Sequence, residues 1–212
     1  MKKIFITATN TDIGKTYTTQ KLLHALAKRG VRVGALKPIE TGVAATPPDG
    51  VLHLQTIQKL NPDAKNLTID DIVPITYEQP AAPFIAAKGE EIDLHPVFEA
   101  MKRFENVCDV LLIEGAGGLF VPINKEYMMC DLIDDIAPDA VLLVVHCSLG
   151  CINDTLLSYK TLQNRGHRVA TAFNCKGGDD FKRTSKPYFD AVDFPTLQVD
   201  ADIDEIANIL LQ

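Results

Sequence analysis

FITATNTDIGKTYTTQKLL, residues 5 to 23, decides how the rest of the chain is read. Gly14-Lys15-Thr16 ends it like the phosphate-binding fingerprint G-x-x-x-x-G-K-[ST], but the position owed to the first glycine holds Thr9. The setting is nonetheless right. An apolar run from Lys3 to Ala8 precedes the loop, and an amphipathic stretch from Lys15 to Lys28 follows it. A strand, a polar loop and a helix in that order let backbone N–H groups and a helix N-terminus cradle phosphates. Lys15 would bridge the outer phosphates and the Thr16 hydroxyl would meet Mg2+. The competing description is a polar strand-to-helix turn without a ligand.

The same alternation continues outward. Apolar runs at Arg32 to Lys37, Asp109 to Glu114, Ala140 to His146 and Arg168 to Asn174 are predicted strands. Helices are predicted at Val51 to Lys59, Leu94 to Phe104, Ile152 to Asn164 and Ile203 to Leu211. Continuous runs such as VLLIEG and AVLLVVH suit strands buried on both faces. Strand and helix in alternation predict an α/β fold: a doubly wound, mainly parallel sheet flanked by helices. Gly30 ends the first helix, Asn153-Asp154 are predicted to cap the helix carrying Leu156, Leu157 and Leu162, and Asp202 the last one. Pro47-Pro48 and the stretch from Pro80 to Pro83 mark loops or segment entries, not linkers, so one domain over residues 1 to 212 is expected.

Composition restricts the partners. The 212 residues are 46% hydrophobic and 23% charged, in the range of ordinary soluble globular proteins. A formal charge of −7 opposes a nucleic-acid partner held by a broad basic face. Any anion must therefore be caught locally. The five cysteines, Cys108, Cys130, Cys147, Cys151 and Cys175, are odd in number and contain no C-x-x-C pair. Buried reduced thiols are expected, and neither a disulfide framework nor a zinc knuckle. MKKIFITATN has too short an apolar run for a signal peptide, and no window approaches the ~18 apolar residues of a membrane span. A cytoplasmic protein without a membrane partner is the expectation.

Three more segments fall just beyond strand ends, where such sheets place ligands. In LKPIETG, residues 36 to 42, Lys37 ends a strand and Thr41-Gly42 add a hydroxyl and flexible backbone; the alternative is a snorkelling strand-end lysine. In VLLIEGAGGLFVP, residues 110 to 122, Glu114 can hold Mg2+ while Gly115, Gly117 and Gly118 admit a ligand close to the backbone. In SLGCINDTLL, residues 148 to 157, a helix N-terminus favours a carboxylate or phosphate, though Asn153 as a cap accounts equally for the pattern.

Taken together, Thr-x-Thr-x-x-Gly-Lys-Thr at 9 to 16, Lys-Pro-x-x-Thr-Gly at 37 to 42, Glu-Gly-Ala-Gly-Gly at 114 to 118 and Leu-Gly-Cys-Ile-Asn at 149 to 153 resemble the dethiobiotin synthetases, P-loop ligases of biotin biosynthesis. The likeness runs in order to about Asn174. In that family the loop is one residue longer, so its first glycine aligns with Ala8; Asn10 stands where many members have Asp. The resemblance implies ATP- and Mg2+-dependent closure of 7,8-diaminononanoate (7,8-diaminopelargonate) with CO2. A carbamate and a carbamic-phosphoric anhydride lie on the way to dethiobiotin, ADP and phosphate. It implies Lys37 and Lys15 as catalytic residues, and Thr16, Asp49 and Glu114 as metal ligands. Asp12, Ile13, Gly14, Lys15, Thr16 and Tyr17 would wrap the nucleotide together with Asp49, Glu114, Gly115, Ala116, Gly117, Asn174 and Cys175. Thr11, Lys37, Thr41 and Gly118 would meet the substrate, joined by Gly150, Cys151, Ile152 and Asn153 from the second subunit of a homodimer with its active site at the interface.

Two other readings share the loop. Amidotransferase-type synthetases carry an extra glutaminase domain, for which 212 residues leave no room. Nucleotide switches of the partition and cell-division type carry a second lysine early in the loop and an Asp after the later strand; Asn10 to Ile13 contain no lysine, and Glu114 stands at that later position.

Overall fold

The computed structural model describes residues 1–177 and 180–212. The strands, in chain order, are β1 (Lys2–Ala8), β2 (Val33–Leu36), β3 (Ile39–Thr41), β4 (Ile75–Tyr77), β5 (Val110–Gly118), β6 (Pro122–Asn124), β7 (Tyr127–Met128), β8 (Ala140–His146) and β9 (Val169–Asn174). The helices are α1 (Lys15–Ala27), α2 (Pro48–Leu60), α3 (Ile69–Ile72), α4 (Pro83–Ala86), α5 (His95–Arg103), α6 (Met129–Ile136), α7 (Cys151–Asn164), α8 (Phe181–Thr184), α9 (Lys186–Ala191) and α10 (Ile203–Leu211).

The five longest-range runs form one parallel sheet in the order β2-β5-β1-β8-β9. Its central strands are buried nearly end to end, because helices cover both faces and leave no solvated side. The fold class is therefore the doubly wound one expected. Ile4, Phe5 and Ile6 of β1, Leu111 to Ile113 of β5 and Val141 to Val145 of β8 are wholly buried, so the loops beyond their carboxyl ends stand on a rigid platform. Among the described residues no helix is long and apolar enough to cross a membrane.

Local details differ from expectation in four places. β5 runs on through Gly118, so the glycines after Glu114 belong to the strand and not to a turn. α2 starts at Pro48, three residues before Val51, because a proline suits the first helical position and Glu40 accepts the N–H groups of Asp49 (2.9 Å) and Gly50 (3.0 Å). α7 is entered at Gly150, whose φ of 102° lets the chain turn there, and Asn153 sits inside the first turn rather than at the cap. Asp202 holds the N-cap position of α10, yet its carboxylate accepts the Gln198 N–H (2.8 Å) instead of a helix amide.

The cysteines need a correction of their own. Cys108, Cys130 and Cys151 are buried and outside any disulfide, as expected, but Cys147 and Cys175 are joined by one. The cause is register: His146 of β8 pairs with Asn174 of β9, so the next residue on each strand arrives beside the other, with Cα atoms 4.9 Å apart. Alkylation after non-reducing denaturation, followed by peptide mass mapping, is expected to recover the Cys147 and Cys175 peptides as one linked species. Recovery of all five cysteines in alkylated form would contradict the bond.

Candidate active site

The loop between β1 and α1 solves its geometry without a first glycine. Ala8 is the buried last residue of β1, paired with Val144 on one side and Gly118 on the other. The left-handed conformations of the loop fall instead on Asp12 (φ 58°) and Gly14 (φ 104°). A Cβ at Gly14 would lie 2.1 Å from Asn174 Nδ2, so this position admits glycine alone. Asn174 Nδ2 donates to the Ile13 carbonyl (2.7 Å), and Lys176 Nζ donates to that of Asp12 (3.2 Å), tying the loop to the end of β9.

Register brings the charged residues together. Leu36 of β2 pairs with Ile113 of β5, so Lys37 and Glu114 follow side by side at the sheet's carboxyl edge. Lys37 Nζ donates to Glu114 Oε1 at 2.6 Å and to Asp49 Oδ2 at 2.7 Å. The Thr16 hydroxyl donates to the same Glu114 Oε1 at 2.8 Å. Lys37 is not the snorkelling strand-end lysine that stood as the alternative: its side chain is only 6% exposed, and Glu114's 1%. Burial would push the Lys37 ammonium down, but the carboxylates of Glu114 and Asp49 outweigh it and hold its pKa above the ordinary lysine range. Burial would likewise raise Glu114, and the Lys37 charge with the His53 hydrogen bond keeps it well below the usual carboxylate range. Lys15 has no such direct partner. Its burial, helped by the nearby Lys37 charge, lowers its pKa to about 8. Burial raises Glu40 despite its two backbone donors.

Thr11, Asp12, Gly14, Lys15, Thr16, Lys37, Thr41, Asp49, Glu114, Ala116 and Gly117 all line one cleft of about 530 Å³. Ile13 and Asn174 line an adjoining cleft of about 280 Å³. Gly115 and Gly118 are buried β5 backbone and do not line either cleft. Tyr17 points away into solvent and donates its hydroxyl to Asp200 (2.5 Å), while Cys175 is taken by its disulfide. Gly150, Cys151, Ile152 and Asn153 do not line the main cleft; Leu149 before them is 86% exposed, whereas the Cys151 side chain is buried.

The oxygen donors of the cleft suit a small, hard cation. One hydroxyl and two carboxylates converge from Thr16, Asp49 and Glu114, leaving other positions to water and phosphate oxygens. The ammonium of Lys37 already sits among two of them as a positive charge in waiting. Four contributors escaped the sequence reading: Glu40, Thr19, His53 and Lys176. Two had a signal in helical spacing, since His53 lies four residues after Asp49 on α2 and Thr19 four after Lys15 on α1, hence on the same helix faces.

A parallel sheet whose first strand leads through a Gly-Lys-Thr loop into α1, with a buried carboxylate on the neighbouring strand, defines a P-loop nucleotide-binding protein. MinD cell division protein of Aquifex aeolicus shares the fold, with a TM-score of 0.54 and 17% identity, covering 99% of this chain and 87% of that one. A family model described as an AAA domain matches residues 2–206. The ATP-dependent dethiobiotin synthetase BioD of Sulfurovum sp. is 43% identical over 196 residues, 92% of either chain. That of Wolinella succinogenes is 41% identical over 215 aligned positions, covering 100% of this chain and 99% of the relative. The chain belongs to the ATP-dependent dethiobiotin synthetase family.

Proposed function

We propose that the chain, acting as one domain over residues 1 to 212, joins CO2 to 7,8-diaminononanoate and closes the ureido ring of dethiobiotin at the expense of ATP. The observation that carries this reading is the Lys37 ammonium, held 2.6 Å from Glu114 and 2.7 Å from Asp49 at the mouth of the phosphate loop. A lysine brought to the cleft from the end of β2, and not from the phosphate loop, suits a site that must hold a carbamate against a triphosphate.

In the proposed reaction one substrate amine adds to CO2 and releases a proton, giving a carbamate. The carbamate oxygen takes the γ-phosphoryl group of ATP, and ADP leaves. The second amine then attacks the carbamoyl carbon; the C–O bond to phosphate breaks, and the amine proton leaves with the phosphate. Lys15 and Lys37 carry the negative charge that gathers between the two anions. Burial lowers Lys15 to about 8, and the negative charge of a bound phosphate would raise it again. Thr16, Asp49 and Glu114 would hold Mg2+, which when bound neutralises phosphate charge. The loop from Asp12 to Thr16 wraps the phosphates, and Asn174 lies toward the base. Thr11, Thr41 and Gly118 face the diamine. Gly150 to Asn153, at the start of α7 and outside this chain's own cleft, would serve the substrate carboxylate of a second copy in a homodimer.

The purified protein is expected to form a product of dethiobiotin mass from the diamine, bicarbonate, Mg2+ and ATP. Phosphate release should require diamine and bicarbonate together. Vigorous ATP hydrolysis with neither present, and no such product, would sink the proposal.

A further inference from the structure

Glu114 is held from two sides, and the side away from the cleft is the more elaborate. His53, wholly buried on α2, places Nε2 3.0 Å from Glu114 Oε2. Its Nδ1 lies 2.8 Å from the Gln20 amide nitrogen on α1, and Gln20 Oε1 accepts the Thr56 hydroxyl at 2.6 Å. With its oxygen turned to Thr56, Gln20 presents N–H to the ring, so Nδ1 accepts and Nε2 carries the hydrogen. That is the tautomer that donates to a carboxylate. The donors thus run in one direction, Thr56 to Gln20 to His53 to Glu114, from α2 to α1, back to α2 and on to β5 of the sheet.

Thr19 also reaches Glu114 Oε2, at 2.9 Å, but its hydroxyl is equally 2.9 Å from the Lys15 carbonyl and has one hydrogen to give. The His53 N–H, by contrast, is directed at Oε2 and, among the described residues, is not shared with a second acceptor. The two carboxylate oxygens are therefore divided: Oε2 faces the protein interior, and Oε1 faces Thr16 and Lys37. A carboxylate on an unbranched side chain has no intrinsic reason to keep that rotation. A hydrogen bond from a fixed ring supplies one.

We propose that His53, oriented by Gln20 and Thr56, is a positioning residue that locks the Glu114 carboxylate with Oε2 inward and Oε1 presented to the divalent cation of a metal–nucleotide complex. The inference rests on the reading of Glu114 as a metal-holding carboxylate.

The test measures metal binding without turnover. Free Mn2+ is followed by electron paramagnetic resonance in the presence of ADP, for the wild type, His53→Leu, His53→Gln, Gln20→Met and Glu114→Gln. ADP affinity in a chelator is measured alongside. His53→Leu is expected to weaken Mn2+ binding by about 10- to 100-fold, the usual loss on removing a carboxylate's supporting partner. Its metal-free ADP affinity should stay unchanged. His53→Gln, which keeps an N–H near the ring Nε2 position, should recover most of the loss, and Gln20→Met should show a smaller loss in the same direction. Wild-type Mn2+ affinity in His53→Leu overturns the inference, as does an equal loss in His53→Leu and His53→Gln accompanied by weakened metal-free ADP binding. A failure of the underlying reading looks different: Glu114→Gln would then keep the wild-type Mn2+ affinity.

Discussion

Lys37→Ala is expected to lower the rate of product formation by at least about 10²- to 10³-fold, the range seen when one preorganised charge-stabilising group is removed. The ammonium is already desolvated, with a 6% exposed side chain between Glu114 and Asp49, so in the proposed reaction no reorganisation would be needed as phosphate and carbamate charge arrives beside it. The same burial means that the variant is not silent for folding. Alanine leaves Glu114 as a buried carboxylate without its nearest cation, and losing one partner of a buried pair costs about 3–5 kcal/mol. Lys37→Gln separates the effects. Its amide still donates a hydrogen bond to either carboxylate, so its thermal midpoint should lie above that of Lys37→Ala, while its turnover should be comparably low. Steady-state assays with thermal melts of both variants decide the matter: a folded Lys37→Ala enzyme of wild-type activity would remove the lysine from the mechanism.

What the sequence made legible was local. Gly14-Lys15-Thr16 announces itself because the loop chemistry lies within three adjacent residues, and the buried strands announce themselves because β5 and β8 are apolar on both faces. The misspelled loop entry was legible too, as a longer loop, and the left-handed turns at Asp12 and Gly14 account for the tolerance of Ala8.

Register was not legible. The Cys147–Cys175 bond and the burial of Lys37 against Glu114 both follow from which residue of one strand faces which of the next, a pairing that one sequence does not encode in any short pattern. Short elements were missed for a different reason. β3 and β4 have three residues each, and β7 two, too few for a period to emerge. α6 is eight residues long, and its entry is held by Asp131 accepting the Met128 N–H (2.7 Å), a cap that stands inside the helix rather than before it. The His53 relay combines both difficulties: its spacing from Asp49 was visible, but its partners Gln20 and Glu114 come from other elements.

The second large effect concerns Glu114, and it distinguishes what the buried pair does for the fold from what it does for the chemistry. Glu114→Gln removes one of the two carboxylates that hold Lys37 and helps to raise Lys15, leaving Lys37 with Asp49 alone beside a second buried lysine. A destabilisation of about 3–5 kcal/mol is expected in urea unfolding, with product formation falling by two orders of magnitude or more if Glu114 holds the cation as proposed. Lys37→Met should cost a similar amount of stability for the opposite reason, an unpaired anion. Combined, Lys37→Met with Glu114→Gln removes both members of the buried pair and leaves only Asp49, one-third exposed, without its ammonium, so the double variant should be more stable than the sum of the single costs by roughly 0.5–3 kcal/mol. Its activity should not recover at all, because in the proposed reaction each group would act on the reacting charges independently. Additive stability costs would mean that the 2.6 Å contact is no energetic unit in the folded chain, and restored turnover in the double variant would take both residues out of the catalytic step.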